Sequence, residues 1–349
     1  MKLLIITQKV DINDDILGFF HNWIEEFAKH YEKVTVICLY KGEYNLPENV
    51  KVLSLGKEKS VKHSVFDKIK YVLKFYKYIW RERKNYDNVF VLMNPEYVIL
   101  GGLFWKLWKK KIALWYTHKR VDLKLRLAEK LVDKIFTASK ESFSLPSKKV
   151  EITGHGIDSA VFQPRNQKSN LKNQKFSIIT AGRIAPVKNI DVLIEVAEIL
   201  PSSGWEIKIA GRPILESDEK YFERLKIVIK EKKLDDKIKF IGPVPNKDIA
   251  EFYQNGDLFV NFSDTGSLDK AVLEAIASGL EVLTSNKAFA SVLGGEIFIE
   301  KNPEKIAQKI IEIASSRENK SNQLAKYIFE NHNLDNLVNK IINFYEQIA

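Results

Sequence analysis

Apolar residues fall in short runs along this chain, and the runs alternate with stretches that are apolar on one side only. Leu3 to Thr7 reads as a short buried strand. Ile16, Phe20, Trp23, Ile24 and Phe27 then recur at offsets of 4, 7, 8 and 11, the stripe of a helix with one apolar face. A second strand, Val34 to Leu39, follows at once. Strand, helix and strand at this spacing form a βαβ unit, which builds a parallel sheet because the helix carries the chain back to the same end. The pattern continues through strands Val89–Leu92, Ile112–Tyr116 and Lys134–Thr137, with helices predicted near 64–83, 97–108 and 121–131.

The stretch from Arg165 to Gln174 is polar, with Leu171 its one large apolar residue, and has a linker's composition. Beyond it the alternation restarts: strand Ser177–Ala181, helix Asn189–Leu200, strand Glu206–Ala210, helix 218–232, strand Ile238–Ile241, helix 246–254, strand Leu258–Phe262, helix 268–278 and strand Glu281–Thr284. One long helix is expected over about 321–348. The fold class is therefore α/β, with two doubly wound parallel-sheet, Rossmann-like domains facing across a cleft. Residues 1–165 form the first, 166–330 the second, and 331–349 a helix crossing back to the first. In open sheets of this kind ligands bind beyond the carboxyl ends of the strands, so chemistry is sought there.

A length of 349 residues agrees with two domains, and 45% hydrophobic residues with 20 Phe, 13 Tyr and 6 Trp exclude a disordered chain. The net charge of +10 is unevenly spread. Residues 1–165 hold 30 basic and 19 acidic residues, residues 166–349 hold 25 and 26, and 51–150 alone hold 24 against 9. Such a segment suits an anionic partner, whether membrane surface, phosphorylated acceptor or nucleic acid, or else is a set of solvated lysine-rich faces. Cys38 is the single cysteine, which excludes an intrachain disulfide and a cysteine-built metal site; within Val34–Leu39 it is expected as a buried strand residue. The N-terminal apolar run is too short for a signal peptide, and the longest uncharged apolar stretch, Tyr97 to Trp105, is far short of the roughly 20 residues that span a bilayer. The expected location is cytoplasmic, at most peripheral on the inner face of a membrane.

Two segments after strands carry chemistry. In Thr180-Ala181-Gly182-Arg183-Ile184-Ala185-Pro186-Val187-Lys188-Asn189 a glycine admits close backbone approach, two cations stand five residues apart, and a helix N-terminus offers N–H groups. That combination suits a pyrophosphate; solvated loop cations are the plainer reading. In Asn261-Phe262-Ser263-Asp264-Thr265-Gly266-Ser267-Leu268-Asp269, a small-residue loop runs into a helix carrying Glu274 and ending at Gly279. A carboxylate among Leu273, Ala275, Ile276 and Ala277 needs a partner, which a ribose diol or an internal salt bridge would supply.

With Arg183 and Lys188 after a strand, then Ile241-Gly242-Pro243-Val244-Pro245, then Leu273 to Gly279, in that order and spacing, the chain resembles the retaining glycosyltransferases of family 4, which have the GT-B fold. Gly154-His155-Gly156-Ile157-Asp158, Phe162-Gln163-Pro164 and Trp115-Tyr116-Thr117-His118 extend the resemblance over essentially the whole chain. It implies a hexosyltransferase using a nucleotide-diphosphate sugar, without metal or other cofactor. Arg183 and Lys188, with Gly182, would bind the diphosphate and stabilise the leaving group. Glu274 would hold the ribose hydroxyls, the backbone around Gly242 and Val244 would flank the base, and His118 would face the reacting end of the sugar. Gly18 would leave room for phosphate or acceptor. The resemblance also implies a front-face path, in which the leaving phosphate helps deprotonate the acceptor.

The family often has two glutamates separated by seven residues; counted back from Glu274 the first falls at position 266, which here is Gly266. Either the backbone N–H groups of Gly266, Ser267 and Leu268 hold the sugar, or Asp269 or Asp264 replaces the carboxylate. Residues 68–81 and 104–111 interleave aromatics with lysines, as segments at a bilayer interface do, and the first domain is the acceptor side in the resemblance. A lipid-linked or membrane-presented glycan acceptor is therefore expected, and no nucleic acid. Competing readings are a nucleotide-sugar epimerase of the same architecture and a non-catalytic protein that binds an anionic surface. The near-neutral second half is expected to concentrate its functional positive charge in Arg183 and Lys188.

Overall fold

A computed structural model describes all residues except 60–63, 165–174, 294, 296, 317–320 and 348–349, so the stretch read as a linker lies outside the described residues. The chain divides into two units. One comprises Met1–Asp158, Pro245–Lys247 and His332–Ala349; the other comprises Ser159–Val244 and Asp248–Asn331.

The first unit contains β1 (Lys2–Val10), α1 (Phe19–His30), β2 (Lys33–Lys41), β3 (Val50–Ser54), α2 (Val65–Arg81), β4 (Asn88–Leu92), α3 (Pro95–Leu107), β5 (Lys111–Trp115), α4 (Leu123–Leu131), β6 (Lys134–Thr137) and β7 (Val150–Ile152). The strands form one parallel sheet in the order β3-β2-β1-β4-β5-β6-β7. Side chains of β1 alternate between its faces, as a strand requires. Leu3 and Ile5 pack beside Phe20, Trp23 and Phe27 of α1, whereas Leu4 and Ile6 pack beside Phe75, Trp105 and Leu125 of α2, α3 and α4.

The second unit contains β8 (Phe176–Ala181), α5 (Ile190–Ile199), β9 (Trp205–Ala210), α6 (Glu216–Glu231), β10 (Ile238–Gly242), α7 (Ile249–Gln254), β11 (Leu258–Asn261), α8 (Lys270–Ala277), β12 (Glu281–Thr284), α9 (Lys287–Val292), α10 (Pro303–Ser316) and α11 (Ser321–Asn331). Its parallel sheet has the order β10-β9-β8-β11-β12. The last helix, α12 (Leu334–Glu346), belongs to the first unit, where Leu337, Val338 and Ile341 join α1 in the core and the Tyr345 hydroxyl donates to the Val89 carbonyl at 2.7 Å.

The structure departs from the sequence pattern in several places, with α9 and α10 among the elements the pattern did not predict. Ile16 is 40% exposed and precedes α1, because the Asp14 carboxylate accepts from the N–H groups of Ile16 and Leu17 and holds them in a turn. The expected helix over 321–348 is two helices broken at His332-Asn333. There Ile157 N–H donates to the His332 carbonyl at 2.6 Å, Leu334 N–H donates to the Ile157 carbonyl at 3.0 Å, and the Asn333 side chain caps α12. β3 and β7 are edge strands whose mixed polar sequence gave no apolar run. Cys38 lies fully buried in β2, and burial pushes its thiol up to about 12, which removes it as a nucleophile at neutral pH.

His332 is 4% exposed, and its Nδ1 accepts from the His155 N–H, which requires the neutral ring. Burial lowers its pKa to about 4, so the unfolded chain takes up a proton near pH 6.5 before the folded chain does. This contribution to stability is complete above about pH 6.5 and is lost as pH falls toward about 4. A drop of about 2 kcal/mol between pH 7 and 5 in the urea midpoint analysis is expected. A drop of the same size in His332→Gln would show that other groups carry it.

Candidate functional site

In the second unit the chain runs outward from β8 to β9 and β10, then returns to place β11 on the other side of β8. The loops leaving β8 and β11 therefore part company, which makes this the switch point where an open sheet leaves a crevice. A recess lies there, lined by Gly182, Arg183, Lys188, Ala210, Asn261 and Phe262 among others.

Three glycines at neighbouring strand ends, Gly182 in the lining with Gly211 and Gly242 beyond it, have φ of +141°, +135° and +79°. Gly182 N–H donates to the Ala210 carbonyl, Ile184 N–H to the Arg212 carbonyl, and Gly211 N–H to the Gly242 carbonyl, at 2.8–3.0 Å. The strand pairing thus extends into the loops. A Cβ at Gly211 would lie 1.8 Å from the Gly182 carbonyl oxygen, so no other residue fits without moving that loop. Asn189, in the left-handed region, ties the same loop to the β11 loop by donating to the Phe262 carbonyl and the Asp264 carboxylate, both at 2.8 Å.

Each of the two expected cations stands beside an aspartate. Arg183 Nε is 3.6 Å from Oδ2 of the buried Asp218, which also accepts from the N–H groups of Ile214 and Leu215. Lys188 Nζ donates to Asp269 Oδ1 at 3.0 Å, and Asp269 is further held by Asn261 and Thr265. Positive charge is consequently balanced locally rather than concentrated. The N–H groups of Ile190 and Asp191 at the start of α5, expected to be open to a ligand, donate to the Tyr221 hydroxyl instead.

In the loop between β11 and α8 the first N–H groups are engaged: Ser263 donates to Asn261 Oδ1, Asp264 to the Val187 carbonyl and Thr265 to Ser263 Oγ. Among the described residues, no backbone carbonyl accepts from the N–H groups of Gly266, Ser267 or Leu268. Gly266 has φ of +66°, and Asn286 donates to the Ser267 carbonyl at 2.8 Å, which fixes the loop from behind. Asp264 pairs with Lys301 and Asn189, and these contacts, the Lys301 hydrogen bond first, hold its carboxyl below the usual range. Of the two acids weighed as substitutes for a glutamate at Gly266, Asp264 is thus engaged with Lys301, and Asp269 with Lys188.

Glu274 is 5% exposed on α8. Its Oε2 accepts from the Tyr253 hydroxyl at 2.9 Å and its Oε1 from Lys270, one helical turn away. The internal salt bridge is therefore formed. An ionised carboxylate still has about four acceptor positions, so these two donors leave capacity for a diol.

Of the remaining expected residues, Gly242 and Val244 belong to the second unit and Gly18 and His118 to the first. Gly242 ends β10, with Val244 two residues beyond it. Gly18 caps α1, where a Cβ would come within 2.3 Å of the Asp14 carbonyl oxygen. His118 follows β5 with an exposed ring edge-on to Tyr116 at 5.6 Å, and desolvation lowers its pKa, leaving it neutral at pH 7. Among the described residues no group of three or more His, Cys, Asp or Glu could hold a metal ion.

Sequence reading missed Gly211, Asp218, Tyr253 and Lys270. Gly211 had a signal: Ala181-Gly182-Arg183 after β8 is repeated as Ala210-Gly211-Arg212 after β9. Lys270 had one as well, since it stands four residues before Glu274, the spacing of an ion pair on a helix; Asp218 and Tyr253 had none, since only folding brings Asp218 to Arg183 and Tyr253 to Glu274.

Residues 162–331 match the model of the family described as glycosyl transferases group 1. The chain is 28% identical over 149 residues to mannosylfructose-phosphate synthase of Agrobacterium fabrum, covering 40% of this chain and 33% of that protein. It is 25% identical over 198 residues to a sulfoquinovosyl transferase of Arabidopsis thaliana, covering 55% and 36%. The chain thus spans about a third of the length of these curated relatives. Its fold matches that of Anabaena HepE in complex with UDP and glucose over 99% of both chains, with a TM-score of 0.78 and 14% identity. The expected fold class, two parallel-sheet α/β domains of the kind found in GT-B glycosyltransferases, is the one observed.

Proposed function

We propose that the chain is a retaining glycosyltransferase that moves a hexosyl group from a nucleotide-diphosphate sugar to an acceptor that is lipid-linked or presented at an anionic membrane. The observation that carries this is the switch-point recess, where Gly182, Arg183 and Lys188 converge. Support also comes from the match of residues 162–331 to a glycosyltransferase family and from a structural neighbour solved with UDP.

In this reading Arg183 and Lys188 bind the diphosphate, and their aspartate partners keep them in place before it arrives. As the bond from the sugar's anomeric carbon to the phosphate oxygen breaks, negative charge grows on the diphosphate, and the two cations stabilise it most at that stage. The acceptor oxygen bonds to the same face of the anomeric carbon, and its proton passes to the departing phosphate oxygen. Configuration is retained and no metal or other cofactor is required. Glu274 takes the ribose diol, the backbone at Gly242 and Val244 flanks the base, and the N–H groups of Gly266, Ser267 and Leu268 with Asp269 hold the sugar. His118, neutral at pH 7, accepts a hydrogen bond at the sugar's reacting end, and Gly18 shapes the acceptor side. The first unit would lie on the cytoplasmic face of the membrane.

A thermal-shift series with UDP, GDP, ADP and their sugars tests the donor site, since a ligand that binds only the folded state raises its stability by about 2.7 kcal/mol at one hundred times its Kd. One nucleoside diphosphate should raise Tm in the wild type and need at least tenfold more ligand in Glu274→Gln. No shift with any of them would overturn the proposal.

A further inference from the structure

Helix α2 carries two apolar faces. Phe75 and Ile79 point into the core of the first unit. Phe66, Ile69, Leu73 and Trp80 form a second stripe, at spacings of 3, 4 and 7, and all four are more than half exposed. At about 100° per residue, Lys70, Lys74, Lys77 and Arg81 fall beside that stripe, away from the core. Leu103 and Leu107 of α3 add exposed apolar surface at 69% and 76%. A soluble helix needs one apolar stripe, and a second one flanked by cations is the form of a helix lying in a bilayer interface.

The C-terminal ends of α2 and α3 enclose a groove of about 690 Å³. Tyr76, Ile79, Trp80, Phe104 and Trp108 form its apolar walls, and Lys77, Arg81 and Arg83 stand at its edge. Its size is within the roughly 300–1,000 Å³ of small-molecule sites. Within this lining the aromatic rings pack on one another edge-on, Trp80 5.7 Å from Trp108 and Tyr76 5.6 Å from Phe104. Arg83 lies 4.6 Å over the Trp80 ring and donates to the Trp80 carbonyl, which holds a cation at the mouth. An apolar slot with a cationic rim complements a hydrocarbon chain ending in a phosphate.

We propose that this groove seats one acyl chain of an anionic phospholipid of the membrane, with its phosphate among Lys77, Arg81 and Arg83. The proposal rests on the membrane part of the functional reading and is independent of its donor site. Occupancy would anchor the first unit with a fixed face toward the bilayer, where lipid-linked acceptors are found.

The test uses the whole chain and tryptophan fluorescence. Trp23, Trp105, Trp115 and Trp205 are buried, so quenching by lipids brominated on the acyl chain reports chiefly Trp80 and Trp108. Phosphatidylglycerol vesicles should bind at least tenfold more tightly than phosphatidylcholine vesicles and quench. Monomeric lysophosphatidylglycerol, below its micelle concentration, should quench saturably at one molecule per chain. Trp80→Glu should lose both responses by tenfold or more while keeping the wild-type thermal shift with nucleoside diphosphate. Vesicle binding without saturable monomer binding would overturn the seat. So would equal binding to both vesicle types, retention in Trp80→Glu, or a lipid-free dimer abolished by Trp80→Glu, which would make the groove a protein interface. A failed donor assay with intact lipid responses would count against the transferase reading alone.

Discussion

Arg183→Ala and Lys188→Ala are each expected to lower kcat/KM by at least 10²-fold, about 3 kcal/mol of transition-state stabilisation, by analogy with loss of one oxyanion donor. In the proposed site the cations stand where the diphosphate would gain charge, so the loss should fall more on kcat than on KM. Their partners complicate the simple deletion. Without Arg183, the buried Asp218 carboxylate loses that cation and retains the N–H groups of Ile214 and Leu215. Arg183→Ala should therefore lower Tm without ligand as well, because a buried charge that loses its counter-ion is costly. Lys188→Ala should disturb the free protein less, since Asn261 and Thr265 still serve Asp269. Steady-state kinetics with the donor found by thermal shift, read beside ligand-free Tm, separates the two effects. Wild-type turnover in both variants would remove the proposed diphosphate site.

Gly211→Ala should be the most damaging single methyl in the second unit. It places a carbon 1.8 Å from the Gly182 carbonyl oxygen and puts an L side chain at φ of +135°. The loop must move, and Gly182 and Ile184 lose their pairing with the β9 end. We expect a loss of about 3 kcal/mol or more, combining backbone strain of about 1–3 kcal/mol with the clash. Gly182→Ala is the control. Its φ is equally forbidding, but the nearest atom to an added Cβ is Lys188 Cε at 3.9 Å, so strain acts alone. Urea denaturation of both variants, beside nucleoside diphosphate binding, would show Gly211→Ala losing more of each. Equal effects would mean the interlocked loops contribute little.

How much of this was legible in the sequence depended on whether the cause was local. The central strands were readable because a strand buried on both faces must be almost wholly apolar, as Leu3 to Ile6 is. The edge strands β3 and β7 were not, because one side of each meets solvent and tolerates Lys51 or Glu151. The join between α11 and α12 was hidden because its cause, the pairing of Ile157 with His332 and Leu334, comes from far away in the chain. At the candidate site, Gly182, Arg183 and Lys188 stand out in the sequence because strand, glycine and cation are consecutive, and all three line the recess. What balances them does not, since Asp218 is supplied by the start of a different helix. The same holds for Glu274: its need for a partner followed from its apolar neighbours, whereas Tyr253 could be known only after α7 and α8 packed together.

The bridge between Ile157 and Asn333 has a consequence for synthesis. Residues 159–331 leave and re-enter the first unit almost at one point, apart from the short segment 245–247, so nearly all of the second unit is an insertion into the first. The core beside α1 waits for Leu334, Leu337, Val338 and Ile341. During translation the first unit to emerge is therefore the last to be finished, and its apolar face stays open until the second unit has been made. A chain stalled near residue 331 would present a foldable second unit on an unfinished first one, and quality control that recognises exposed apolar surface would act on that first unit.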